Sequence, residues 1–285
     1  MDEPRSFYSI DKPAHRLGQY RAWEIGGEPG SLDDLPLDLV WISVAAEFAP
    51  AAHRVLPHGE PSIGILRKRD LSGGITDIRL VLCGPSRRSL WYRPDPREEL
   101  IAVRLKPEWS AEIFDICPSE TQCIGENILD VPRRVARACE ASMTAAEYVQ
   151  AHQLAEILLT DLLRVTQKFV ARCMPERKAI ALIRQTEGRM KTRQLADFLD
   201  ISERHLRRRF ADLLGCSPKS YARQLRLSST VIAAENCDQP QWAQLACAAG
   251  FTDQAHMINE YKSLLGLTPL EIQKERRALT AFCNS

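Results

Sequence analysis

The sequence predicts an α+β chain: a mainly-β barrel or sandwich, then a helical linker, then an all-α C-terminal domain. Three observations predict it. Short apolar runs broken by Pro and Gly fill residues 1–130. A stretch free of Gly and Pro, with helical spacing, runs over residues 145–171. A unit of short helices repeats at an offset of 50 to 51 residues near the C-terminus. The chain has 285 residues, enough for two ordinary domains of about 100–150 residues each.

In the front part, residues 39–44, 63–66, 78–83 and 100–105 are rich in Val, Ile and Leu, as strands are. The texture changes near Val131. Leu154, Leu158, Leu162, Val165 and Phe169 then fall on one face of a long helix. That stripe could pack on its own domain or on the same helix of a second chain. The Cys173-Met174-Pro175 step marks a boundary, since a residue before Pro resists helix. The expected domains are therefore 1–130, 131–175 and 176–285.

Formal net charge is +1, but its distribution is uneven. Residues 1–130 hold 15 Lys+Arg and 21 Asp+Glu, and residues 131–285 hold 23 and 16. A basic back half suggests that only this half meets a polyanion. The nine cysteines are scattered, with no Cys-x-x-Cys pair, which fits a reducing cytosol better than a disulfide framework. The N-terminus lacks the pattern of a signal peptide, and no apolar run approaches the roughly 18–20 residues that span a bilayer. A cytoplasmic protein without a membrane partner is expected.

The repeat aligns Leu195-Ala196 with Leu245-Ala246 and Ile201-Ser202 with Phe251-Thr252. After one inserted residue it aligns Phe210 with Tyr261 and Ser217-Pro218 with Thr268-Pro269. Each copy reads as helix, tight turn, helix, at about 192–213 and 242–264. Thr192 can cap the first helix of copy one, and Asp200-Ile201 makes its turn. Ser202 caps the second helix, which buries Leu206, Phe210 and Leu213 and shows Arg204, Arg207 and Arg208. In copy two, Gly250 suits the left-handed backbone of the turn, and Thr252 or Asp253 caps a helix burying Met257 and Tyr261. Ala196 and Ala246 are small where two steeply crossing helices touch. That is helix-turn-helix geometry, in which the second helix enters the DNA major groove. A plain helical bundle with a charged face is the competing reading of a single unit; two units at a fixed offset weigh against it.

Residues 195–210 (LADFLDISERHLRRRF) followed by 215–218 (GCSP), and residues 248–262 (AAGFTDQAHMINEYK) followed by 266–269 (GLTP), resemble the AraC/XylS-type DNA-binding domain. The resemblance covers roughly residues 176–279. It implies a domain of about seven helices, in which a long helix over residues 219–235 joins the two units. At about 1.5 Å per residue that helix spans roughly 25 Å, so the reading helices reach successive major grooves about 34 Å apart. Carried over by position, Arg204, Arg207 and Arg208 read bases in the first unit, and Gln254, Ala255 and Asn259 in the second. Thr192, Ser202, His205, Tyr221, Arg223, Thr252 and His256 would support them or meet phosphates, with Arg226 a further phosphate candidate; a solvated charge run is the other reading of Tyr221, Arg223 and Arg226. His256 could equally be a packing residue. Position 259 is often Arg in the family and here is Asn, and position 257 is often Phe and here is Met.

The resemblance also implies a cupin-like front barrel that senses a small molecule or mediates dimerisation. The expected function is a sequence-specific transcription regulator controlled by an unknown small molecule. Its partners would be double-stranded promoter or operator DNA, a second copy as homodimer, and RNA polymerase if it activates. The alternatives are a DNA-binding protein whose front domain only dimerises, or a cupin-type enzyme fused to a DNA-binding domain. No catalytic residue, cofactor or metal is expected. His53, His58 and Glu60 could hold a metal, but a solvated loop suits them better, and no His-x-His motif is present. Trp41, Trp91 and Tyr92 could line a pocket or fill the core.

Overall fold

Strands rich in Val, Ile and Leu, the central ones buried almost without a break, build the front of the molecule. In the computed structural model the described residues are 9–15, 18–25, 35–47, 50, 52–118, 121, 128–167, 175–235, 237 and 239–281. Among them the strands are β1 (Ser9–His15), β2 (Gly18–Glu24), β3 (Leu37–Val44), β4 (His53–Val55), β5 (Ser62–Arg69), β6 (Ile75–Cys83), β7 (Leu90–Tyr92), β8 (Glu98–Leu105) and β9 (Ile128–Leu129). Seven form one antiparallel sheet in the order β1-β2-β3-β8-β5-β6-β9, and β4 pairs with β7 in a separate ribbon. The four runs expected from sequence are the inner parts of β3, β5, β6 and β8.

Helices α1 (Pro107–Phe114), α2 (Arg133–Ala138), α3 (Glu140–Ala145) and α4 (Ala151–Thr166) follow the main strands. They share one core with the sheet. Leu154, Leu158, Leu162 and Val165 of α4 are buried with Ile63, Ile65, Ile101 and Val103. Each such side chain contributes about 1.5–3 kcal/mol by leaving water. The apolar stripe is thus consumed within its own domain and offers no bare face to a second chain; Phe169 and the Cys173-Met174 step lie outside the described residues. Of the expected helical linker 131–175, the described helices over residues 133–166 pack on the sheet as a cover. Two buried charges fasten this cover. Arg67 is fully buried, pairs with Glu99 and donates Nη1 to the carbonyls of Ala146 (3.0 Å) and Val149 (2.9 Å). Asp161 on α4 accepts from Ser142 N at 3.0 Å and Ser142 Oγ at 2.6 Å.

The C-terminal part is helical: α5 (Pro175–Gln185), α6 (Thr192–Phe198), α7 (Glu203–Leu214), α8 (Pro218–Glu235), α9 (Trp242–Ala248), α10 (Gln254–Leu265) and α11 (Pro269–Ala281). Pro opens α8 and α11, where its missing N–H costs nothing. One core gathers Ile180, Ile183, Leu195, Leu206, Phe210 and Tyr221, and another gathers Leu227, Val231, Phe251, Met257, Tyr261 and Ile272.

The front domain docks on this helical part through charged and aromatic contacts. Arg184 of α5 pairs with Asp38 and, at 3.4 Å, with Glu108. Arg177 pairs with Glu112 and lies 4.4 Å from the Trp109 ring centre. Tyr221 donates to Glu60 Oε1 at 2.8 Å. Arg54 donates Nε to Glu275 Oε1 at 3.0 Å.

Candidate nucleic-acid interface

The two copies of the repeat fold alike, down to single hydrogen bonds. In the first, the turn after α6 passes through Asp200 at φ 53°, and Ile201 N donates to Ala196 O at 3.1 Å. In the second, Gly250 takes φ 79°, and Phe251 N donates to Ala246 O at 2.9 Å. Asp and Gly are residue types that tolerate this left-handed backbone. Ala196 and Ala246 are both buried beneath their turns. Ser202 caps α7 by accepting from His205 N at 3.2 Å, and Asp253 caps α10 by accepting from His256 N at 2.7 Å. Gly215 and Gly266 end these helices in the left-handed region, as helix C-termini favour.

Two details differ from expectation. Thr192 is the first helical residue of α6 rather than its cap, which is Lys191, with Gln194 Oε1 accepting from Lys191 N at 2.9 Å. Leu214, not Leu213, is the third fully packed residue of α7, because 206, 210 and 214 keep the four-residue spacing of one helix face.

The apolar face of each second helix is spent on its core, which leaves the opposite face to solvent. On α7, Arg204, His205, Arg207 and Arg208 are exposed. Arg207 pairs with Glu203 at 2.6 Å, one turn earlier. Arg209, on the flank, pairs with Glu176 at 2.8 Å. Arg204 and Arg208 carry no ion pair among the described residues. On α10, Gln254, Ala255 and Asn259 are exposed. Their neighbour His256 is engaged: Nδ1 lies 3.2 Å from Thr252 Oγ1, Nε2 lies 3.5 Å from Glu260 Oε1, and the ring meets Phe251 edge-on. Thr252 and His256 therefore brace the start of α10.

Tyr221 and Arg223 stand differently from the expectation of phosphate contacts. Tyr221 is fully buried against Phe210 and hydrogen-bonded to Glu60, so its hydroxyl cannot meet a phosphate in this arrangement. Burial, with Glu60 adding to it, pushes its phenol well above the ordinary range. Arg223 pairs with Glu260 and donates Nη2 to Ser263 Oγ at 3.2 Å, so it braces α8 against α10. Arg226 is half-buried and donates to the Gly188 carbonyl at 2.9 Å. Glu260 and Ser263 were not among the expected site residues. Nothing local signals them, because their partner is 37 and 40 residues away.

The front-domain candidates diverge. His58 Nδ1 lies 3.0 Å from the Glu60 carbonyl, His53 meets Tyr92 edge-on, and Glu60 faces Tyr221. Among the described residues no group of three or more His, Cys, Asp or Glu could hold a metal. Trp41 stacks on Tyr20, while Trp91 is 56% exposed under the Arg54 guanidinium and so is not core. Among the described residues no helix is long and apolar enough to cross a membrane, and no two of the described cysteines are joined in a disulfide.

Residues 195–275 match the family model described as a helix-turn-helix domain. A search of curated proteins found no match. Among solved structures, the chain is similar to a transcriptional regulator of the AraC-type DNA-binding domain-containing proteins from Chromobacterium violaceum. Identity is 26%, covering 36% of this chain and 91% of that one, with a TM-score of 0.33. It is similar to the C-terminal domain of AraT, a response regulator from Geobacillus stearothermophilus, at 19% identity, 36% and 85% coverage and TM-score 0.33. It is also similar to ToxT from Vibrio cholerae at 12% identity, 83% and 97% coverage and TM-score 0.42.

Proposed function

We propose that this chain is a sequence-specific regulator that reads DNA with both α7 and α10 of an AraC/XylS-type domain, a reading supported by the match of residues 195–275 to a helix-turn-helix domain. The observation that carries this reading is the pair of exposed helix faces on identically built units. Arg204, Arg207 and Arg208 present donors suited to guanine O6 and N7, and Gln254 and Asn259 present the amide pairing suited to adenine. Ala255 offers an apolar contact for a thymine methyl. Ser202, His205, Thr192 and Thr252 lie at or next to the starts of the reading helices or of α6, where backbone N–H groups and hydroxyls can meet phosphates.

The front domain supplies control. On this reading it senses a small molecule or pairs two chains, and a homodimer on adjacent half-sites gains affinity through effective concentration. The α4 stripe is buried, so on this reading a dimer would use another surface of the front domain. Activation would bring RNA polymerase as a further partner.

Selection of bound duplexes from random DNA by the full chain tests the reading. Recovery of a common sequence, bound with a log–log salt slope of about −0.9 per phosphate neutralised, is the expected result. Recovery of no sequence preference, or a slope near zero, would remove the proposal. Sedimentation of the full chain with and without that duplex tests the dimer, and a monomer in both removes it.

A further inference from the structure

The two helix-turn-helix units have separate cores joined through α8. Tyr221 and Ala222 belong to the first core, Leu227 and Val231 to the second. The twist of one unit against the other is therefore set by side chains that cross between them. Arg226 stands on α8 between the two sets. Its Nη1 donates to the Gly188 carbonyl at 2.9 Å, in the turn that follows α5 of the first unit. Its guanidinium carbon lies 5.4 Å from the ring centre of Phe251, in the turn of the second unit. The same two turns approach each other directly: a Cβ added at Gly250 would lie 3.1 Å from Arg189 Cγ. Gly188 is seated firmly as an anchor. It takes φ 77°, and a Cβ there would come within 2.2 Å of the Ala222 carbonyl oxygen. One turn earlier on α8, Arg223 holds α10 through Glu260 and Ser263.

We propose that Arg226 is a positioning residue that locks α7 and α10 at one separation and angle, and so determines which spacing between two DNA subsites the protein accepts. This rests on the reading that both units enter DNA. The side chain suits the task because a guanidinium can donate in its plane while its face lies on an aromatic ring. A lysine in its place offers a point charge with no such face. On DNA, one base pair moves a subsite by about 3.4 Å and turns it by about a tenth of a helical turn. A locked pair of reading helices cannot follow that displacement, and a pair free to twist can.

The test uses the full chain and the duplex it selects from random DNA, with one base pair inserted or deleted between the two subsites. The readout is the ratio of affinities for altered and unaltered spacing, which cancels any loss of folded protein. The wild-type chain should lose about tenfold or more on either change, whereas Arg226→Met and Arg226→Lys should lose about threefold or less. Arg226→Lys keeps the charge and the buried stem, so it serves where Arg226→Met folds poorly. Both variants keeping the wild-type ratio would overturn the inference. So would a wild-type chain that binds its selected duplex but ignores spacing, and then the DNA-binding reading survives alone. A wild-type chain that selects no sequence removes the DNA-binding reading and the inference with it.

Discussion

Replacing Arg208 by Ala should weaken operator binding more than any single substitution on α10. The ranking comes from the state of each side chain before DNA arrives. Of the four arginines on α7, Arg207 is tied to Glu203 at 2.6 Å and Arg209 to Glu176 at 2.8 Å. Arg204 and Arg208 are exposed and carry no ion pair among the described residues. They can meet a guanine without giving anything up. A bidentate arginine–guanine pair is worth about 1–3 kcal/mol of discrimination, or about 5- to 150-fold. Arg207 must first exchange its partner, and an exposed pair of this kind is worth about 0.2–1 kcal/mol, so Arg207→Ala should cost less by that amount. The charges on α10 are Asp253, which caps the helix, Glu260, which is held by Arg223, and Lys262 in the last turn, one turn beyond Asn259. Gln254 and Asn259 bring hydrogen bonds but no charge, so their loss should be smaller and less sensitive to salt. The assay is binding of Arg204→Ala, Arg207→Ala, Arg208→Ala, Gln254→Ala and Asn259→Ala to one selected duplex at fixed salt, repeated across a salt series. Losses at Gln254 or Asn259 that match those at Arg208, or a loss at Arg207 exceeding both unpaired arginines, would refute the reasoning.

Three further outcomes are expected. Tyr221→Phe leaves the buried Glu60 carboxylate without its 2.8 Å donor and should lower the stability of the full chain by about 1–3 kcal/mol, measured by denaturant unfolding. Burial pushes the Glu108 carboxyl up to about 7, against an ordinary value of 4.5. Its folded pKa is therefore raised, so its burial costs nothing below about pH 4.5, a growing penalty up to about 7, and a constant one above. Glu108→Gln should thus stabilise the chain more at pH 8 than at pH 5, by up to about 3 kcal/mol, and an equal effect at both pH values would contradict this. Gly188→Ala should destabilise the chain by at least about 1 kcal/mol in thermal unfolding, because φ 77° and the Ala222 carbonyl both oppose a side chain there.

How much of this was legible in the sequence depended on distance along the chain. Caps, turns and core positions of the helix-turn-helix units act within a few residues. Ser202, Gly250, Ala196 and Ala246 could be placed from spacing alone, and the repeat supplied an internal check; spacing allows either Thr252 or Asp253 as the cap of α10, and the structure shows Asp253. The strand interiors of β3, β5, β6 and β8 were visible as apolar runs. β1, β2, β4, β7 and β9 were not, because they are short or polar, like Ser9–His15 with its Asp and Lys. The role of α4 was open because one apolar stripe serves a sheet and a second chain equally well; only the facing residues Ile63, Ile65, Ile101 and Val103 decide it. Tyr221 and Arg223 looked like phosphate ligands because a polar group on a basic helix has that appearance. Their partners, Glu60 and Glu260, are 161 and 37 residues away, beyond any local pattern.

The placement of the domain junction bears on how control would work. Contacts from the front domain reach α5 through Arg184 and Arg177, the start of α8 through Tyr221, α11 through Glu275, and the C-terminal ends of α7 and α10 through the backbone carbonyls of Asp212 and Leu265. None of these is on the exposed faces of α7 or α10, where Arg204, Arg208, Gln254 and Asn259 remain open to solvent. On the proposed function, the front domain would therefore act otherwise than by covering the helix faces proposed to read DNA. It grips both units at once, with Glu60 on the first and Arg54 on the second. An effector that shifted the β4–β7 ribbon, which carries Arg54, relative to Glu60 would pull one unit against the other. The residue standing across that motion is Arg226, between Gly188 and Phe251. On the proposed function, a signal at the front domain and the spacing of the DNA subsites thus act on the same degree of freedom, the twist about α8.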